Sequence, residues 1–185
     1  MFFNEIKIVE AAKPYFKTAR AGDWSHALRV VEWVKRLAIN RDDLGLLITA
    51  AYIHDIGWSG VAPQGLLDLS EIIKLEQRAN ENSSRLIREV LSKLNFQEDN
   101  IQTVDRLVKA ADKHRGELDD EKIIVDADNL SKLDLDHFKE KYKPDSWPKM
   151  LEVWEREFSQ RISTNLGKKE YPILLEGLKK KINVQ

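Results

Sequence analysis

Apolar residues recur along this chain at helical spacing almost from end to end, and they divide it into amphipathic segments with one exception. The exception is Leu44 to Ile53, which is apolar nearly all round and predicts a helix buried on every side. Before it, a helix over about 4–20 is interrupted at Pro14 and closed by Gly22. A second helix, capped by Asp23, carries Trp24, Ala27, Val30, Val31, Val34, Leu37 and Ala38 on one stripe. After the buried helix, Gly57, Gly60, Pro63 and Gly65 make a loop. Asp68 with Glu71 reads as a capping box opening a long helix to Leu94, and Asp99 with Gln102 as another opening a helix to about Lys113.

Ile123-Ile124-Val125 has strand propensity, but it runs into helical spacing through Leu133, so it reads as a helix start. Near Pro148 begins a helix with Met150, Trp154, Phe158, Ile162 and Leu166 every four residues, stopped by Gly167. A last helix is predicted from about Pro172 to the end. With no other strand signal, no repeat and no long linker, the expected fold is all-α in a single domain. Its motif-bearing core spans about 23–135, and C-terminal helices over about 147–183 pack on it.

Composition narrows the function classes. The net charge of -1 comes without a basic stripe, so a nucleic-acid polymer is not an expected partner. The lysines at 179–181 read as a solvated helix end. With no cysteine, disulfides, thiolate catalysis and thiolate-bound zinc are excluded. The N-terminal residues mix charges into their apolar positions, unlike a signal peptide. The longest apolar run is about half the ~20 residues of a membrane span, so no membrane partner and a cytoplasmic location are expected.

The candidate chemistry lies at the end of the buried helix, where His54 and Asp55 stand side by side. A desolvated carboxylate needs a compensating cation. His26, on the inward face with Val30 and Leu37, and Asp128, after the apolar triplet, complete a potential two-His, two-Asp metal site. Without thiolates, that donor set favours one divalent ion among Mn, Fe, Co, Ni, Zn and Mg. Such an ion supplies hydroxide near neutral pH and polarises a phosphoryl group.

The ordered set His26, His54-Asp55, Asp128 resembles the H…HD…D signature of the HD superfamily of metal-dependent phosphohydrolases. The local wording is similar too: Ser25-His26-Ala27-Leu28-Arg29-Val30, His54-Asp55-Ile56-Gly57 and Ala127-Asp128-Asn129-Leu130. The resemblance implies an all-helical bundle that hydrolyses a nucleotide or other small phosphate compound, with His26, His54, Asp55 and Asp128 as ligands. Ile56-Gly57-Trp58-Ser59 lacks the acidic residues of alarmone hydrolases, and the extra histidines of cyclic-di-nucleotide phosphodiesterases are missing. A small stand-alone HDIG-type hydrolase remains, and the alternative is a non-catalytic HD domain that senses a nucleotide.

Asp55 and His114 are the candidate catalytic residues, His114 as a proton donor to the leaving oxygen or a phosphate ligand. Arg29, Arg78 and Lys132 are the candidate phosphate binders, each with a plainer reading as a surface charge. Asp126 is read as either a support for a histidine ligand or a helix cap, Asp112 as a hydrogen-bond acceptor behind the site, Trp58 as packing, and His137 as exposed.

Overall fold

The structure is a computed structural model that describes residues 3–63 and 65–183. The first two residues of the N-terminal segment and the last two of the final helix, both read from the sequence, lie outside the described residues. Among the described residues there are nine α-helices and no strand: α1 (Glu5–Ala12), α2 (Asp23–Leu37), α3 (Leu44–Ile53), α4 (Leu69–Lys93), α5 (Glu98–Asp112), α6 (Asp119–Lys132), α7 (Leu135–Lys141), α8 (Trp147–Arg161) and α9 (Asn165–Asn183). The all-α single-domain expectation holds.

Helix α3 sits at the centre, packed against α1, α2, α5 and α6. Leu47 through Ile53 are all buried, so a run with no polar face found neighbours on every side. Helices α2 and α6 pack along each other, and Val30 and Val34 on α2 and Ile124 and Ala127 on α6 are all fully buried. A second apolar cluster joins Leu130 and Phe138 to Trp154, Phe158 and Leu178, and seats α8 and α9 against α6.

Local signals explain several boundaries. Pro14 ends α1 at Ala12, and the chain continues as a 3₁₀ turn over Lys13–Thr18. Asp68 accepts from Glu71 N at 2.9 Å while the Glu71 carboxylate accepts from Asp68 N at 2.8 Å, the reciprocal capping box read from the sequence.

Other boundaries depart from the sequence reading. Gly22, at φ 73°, is the cap of α2, and Asp23 is its first residue. A side chain at Gly22 would collide with Glu140, so glycine lets α7 lie against the start of α2. Helix α5 opens at Glu98, with no cap from Asp99. Helix α7 was not anticipated.

Helix α8 ends at Arg161, and α9 begins at Asn165, carrying Gly167 and Pro172 inside it. The break comes from the buried Asp126 carboxylate, which accepts from Ser163 N at 2.9 Å, Thr164 N at 2.8 Å and Thr164 Oγ1 at 2.6 Å. Ile162 and Leu166 keep the four-residue spacing across it, which hid it from a periodicity reading. No described helix is long and apolar enough to cross a membrane.

Candidate metal centre and its cleft

Three helices deliver donor atoms to one buried point. Helix α2 presents His26 from its core face, α3 ends one residue before His54, and α6 carries Asp128. One ligand atom from each of these three residues lies within 4.8 Å of the others, and all three residues are buried. His26 Nε2 is 3.1 Å from Asp128 Oδ1, and His54 Nε2 is 3.6 Å from the same oxygen. Asp55 Oδ2 approaches His54 Nε2 at 3.5 Å and His26 Nε2 at 3.8 Å. Ligand atoms bound about 2.1 Å from one ion stand roughly 3.0–3.5 Å apart, so the spacing fits.

The hydrogen bonds behind the rings decide what faces inward. His54 Nδ1 lies 2.9 Å from the Ala51 carbonyl and donates to it, which leaves Nε2 as a bare lone pair. That Nε2 is buried with no hydrogen-bond partner in the protein. The Ser131 hydroxyl donates to the Asp128 carbonyl at 2.8 Å, so it accepts from His26 Nδ1 at 3.2 Å. His26 Nε2 is then a lone pair as well. With the His26 proton on Nδ1, two nitrogen lone pairs face one carboxylate oxygen, the arrangement a cation would join; with it on Nε2, His26 donates to Asp128 Oδ1. The residues present fit a divalent ion.

Burial drives His26 well below the usual histidine range, with Lys141 adding to the effect, so the ring is neutral as a ligand must be. Burial alone would raise the Asp55 and Asp128 carboxyls. Arg20 and then Lys141 overcome it at Asp55, and Lys132 and then His26 at Asp128, so both are held well below the ordinary carboxylate range.

Two of these cations escaped the sequence reading. Arg20, just before α2, places Nη2 2.7 Å from Asp55 Oδ2 and 3.1 Å from Asp23 Oδ1. Its guanidinium lies 3.8 Å from the centre of the Trp58 ring, so the buried Trp58 both packs and supports a charge. Lys141, the last residue of α7, is buried with Nζ 2.5 Å from Asp23 Oδ1 and 3.4 Å from Asp55 Oδ2. Only the weak Arg20-to-Asp23 spacing hinted at the first, and nothing local marks the second.

The centre opens into a cleft of about 400 Å³ between α4, the end of α5 and α8. His54, Asp55 and Asp128 lie at its floor, joined in its lining by His114, Asp112 and Lys132. His114 adopts a left-handed backbone, φ 52°, after α5, and its Nδ1 is buried without a partner. Burial, with Lys132 beside it, lowers His114 to about 4, so it is neutral near pH 7. Asp112 behaves the opposite way. Burial first, then the Asp55 and Asp128 charges, raise it to about 8, so it keeps its proton at neutral pH.

The other sequence-read positions separate. Lys132 is in the cleft, committed to Asp128 Oδ2 at 2.6 Å. Arg29 is outside the cleft lining, paired with Glu140 at 2.9 Å. Arg78 is exposed on α4 and also outside the lining. His137, read from the sequence as exposed, is fully buried: α7 turns back and sets its ring edge-on to His26, centroids 4.7 Å apart. Asp126 caps α9 rather than supporting a ligand.

An all-helical bundle in which two histidines and an aspartate from separate helices meet at one buried point, with Asp55 beside them in contact with Arg20 and Lys141, has the construction of an HD-type domain. The family model described as HD-CE matches residues 14–156, most of the chain, and the chain belongs to the HD-CE family. No curated protein and no solved structure matches it.

Proposed function

We propose that this protein is a metal-dependent phosphohydrolase acting on a small phosphate compound, with a nucleotide as the favoured substrate. The observation that carries the reading is the buried cluster of His26, His54 and Asp128 ligand atoms within 4.8 Å of one another, with His54 Nε2 lacking any hydrogen-bond partner in the protein. His26, His54, Asp55 and Asp128 would hold the ion. A divalent ion there lowers the pKa of water and polarises a phosphoryl oxygen.

The chain's own residues supply the rest. Arg20, Lys132 and Lys141 offset charge at the reacting centre, where burial makes each cation count for more than it would in water. Asp112 holds a proton beside the site and suits the role of donor to the leaving oxygen, in place of His114. Neutral His114 suits a hydrogen bond to a phosphate oxygen. In the overall step the bond from phosphorus to the leaving oxygen breaks, a bond to a water oxygen forms, and one water proton ends on the leaving group. The cleft has the size of a small-molecule site, about 400 Å³, and its α4 and α8 walls offer Ile72 and Trp154 to an apolar moiety.

The test is metal analysis of the purified protein, reconstitution with single divalent ions, and a hydrolysis screen over nucleotides and simple phosphate esters. His54→Gln is the blank, because Nε2 supports nothing else in the fold. Expected are bound metal, metal-dependent turnover, and loss of both in the blank. Full turnover in His54→Gln or in chelated protein rejects the reading. Nucleotide-induced stabilisation without turnover fits the binding alternative instead.

A further inference from the structure

We propose that the cleft is selective for phosphomonoester dianions over phosphodiesters, with Arg20 and Lys141 holding the phosphate oxygens; this rests on the hydrolase reading above. The ionic groups around the two imidazoles come in matched numbers. Asp128 is paired with Lys132 at 2.6 Å, and Asp23 and Asp55 share Arg20 and Lys141 between them. Three carboxylates meet three cations, so the centre is neutral before a metal arrives. A divalent ion leaves two positive charges uncompensated at a buried position, which is unfavourable until an anion answers them. A phosphomonoester carries nearly two negative charges at pH 7, and a diester carries one.

Geometry identifies the holders. Arg20 and Lys141 both line the cleft, and both touch the same Asp55 oxygen, Oδ2, the one nearest the imidazoles. Each also keeps a second partner in the fully buried Asp23, so drawing Asp55 Oδ2 toward an ion releases one contact of each cation and strands neither. Both are fixed in place beforehand. The Arg20 guanidinium is laid against Trp58 with its Nε on Asp23, which aims the Nη2 that releases Asp55 at a phosphate oxygen. The Lys141 backbone is tied down where Leu67 N donates to Lys141 O at 3.1 Å and Lys143 N donates to Leu67 O at 3.2 Å.

The test uses the full chain loaded with Mn²⁺. Calorimetric titration with inorganic phosphate and with dimethyl phosphate is run on loaded and on chelator-treated protein, and hydrolysis of a nucleoside 5′-monophosphate is compared with that of bis(p-nitrophenyl) phosphate. Expected is phosphate binding at least ~10-fold tighter than dimethyl phosphate in the loaded protein, a preference lost on chelation, and faster turnover of the monoester. Measured on protein saturated with Mn²⁺, Lys141→Gln should weaken phosphate binding by about tenfold, and Lys141→Arg should restore it. Equal or tighter dimethyl phosphate binding, preferred turnover of the diester, or unchanged phosphate affinity in a folded Lys141→Gln overturns the proposal. If Lys141→Gln does not fold, the two titrations of the parent protein decide alone. Failure of the parent to bind Mn²⁺ or any related divalent ion removes the hydrolase reading too, whereas a diester preference removes only this inference.

Discussion

Replacing Ser131 by alanine tests whether a hydroxyl outside the ligand set controls metal binding. Ser131 is buried, donates to the Asp128 carbonyl at 2.8 Å and accepts from His26 Nδ1 at 3.2 Å. Alanine removes the acceptor, and a buried imidazole N–H without a partner is unfavourable by about 1–3 kcal/mol. The ring has an escape: it can shift its proton to Nε2 and donate to Asp128 Oδ1, only 3.1 Å away. Metal-free Ser131→Ala therefore keeps most of its stability, with a melting shift of a few degrees for a loss of about 1 kcal/mol. Metal binding must then reverse the tautomer and break that new hydrogen bond. The expected loss is about 10–100-fold in affinity, or roughly 1.4–2.8 kcal/mol, as is usual for residues that orient a ligand. Competition against a fluorescent chelator measures it, with thermal melts of the metal-free proteins as the control. Metal affinity within twofold of the parent would refute the tautomer argument, however far the melting temperature moved.

Three further substitutions test other parts of the structure. In the proposed reaction, Asp112→Asn should lower kcat by about 10²-fold and remove the alkaline fall from the pH–rate profile; an unchanged profile excludes Asp112 as the proton donor. Because the folded state raises Asp112, its protonated form contributes stability fully below the unfolded value, and that contribution is lost as pH rises toward about 8. Denaturant titrations at pH 5 and pH 9 should thus show Asp112→Asn gaining on the parent at the higher pH. Gly57→Ala places a methyl group against the Ala79 carbonyl and the Ser83 hydroxyl, and should cost about 1–3 kcal/mol in urea unfolding by pushing α4 off the motif turn; a neutral effect means that contact is loose. Asp126→Ala removes three hydrogen bonds at the start of α9, for an expected loss of about 2–4 kcal/mol with protease cleavage appearing between α8 and α9, and resistance to cleavage argues that α9 is held by packing alone.

What the sequence disclosed is what local chemistry writes into it. The uniform polarity of Leu44 to Ile53, the Asp68–Glu71 box and the proline at 14 each act within one or two turns, and each appears as an element or boundary. His26, His54 and Asp128 were legible because a fixed order of short motifs carries them. Arg20 and Lys141 were not, since their charges matter only once α7 folds back beside α2, and the short α7 has little periodicity to announce it. His137 fell to the same cause. Helix α9 was misplaced because glycine and proline usually interrupt helices, whereas here Ser163-Thr164 supplies the start and a carboxylate from another helix fixes it. The serine–threonine pair was the available signal.

Asp126 and Asp128 stand two residues apart on one turn of α6 and therefore point to nearly opposite sides of it. One is a peg for the carboxy-terminal segment, the other part of the cleft floor. Mechanical load on that segment would thus be transmitted across the width of a single helix to the carboxylate of the candidate metal centre.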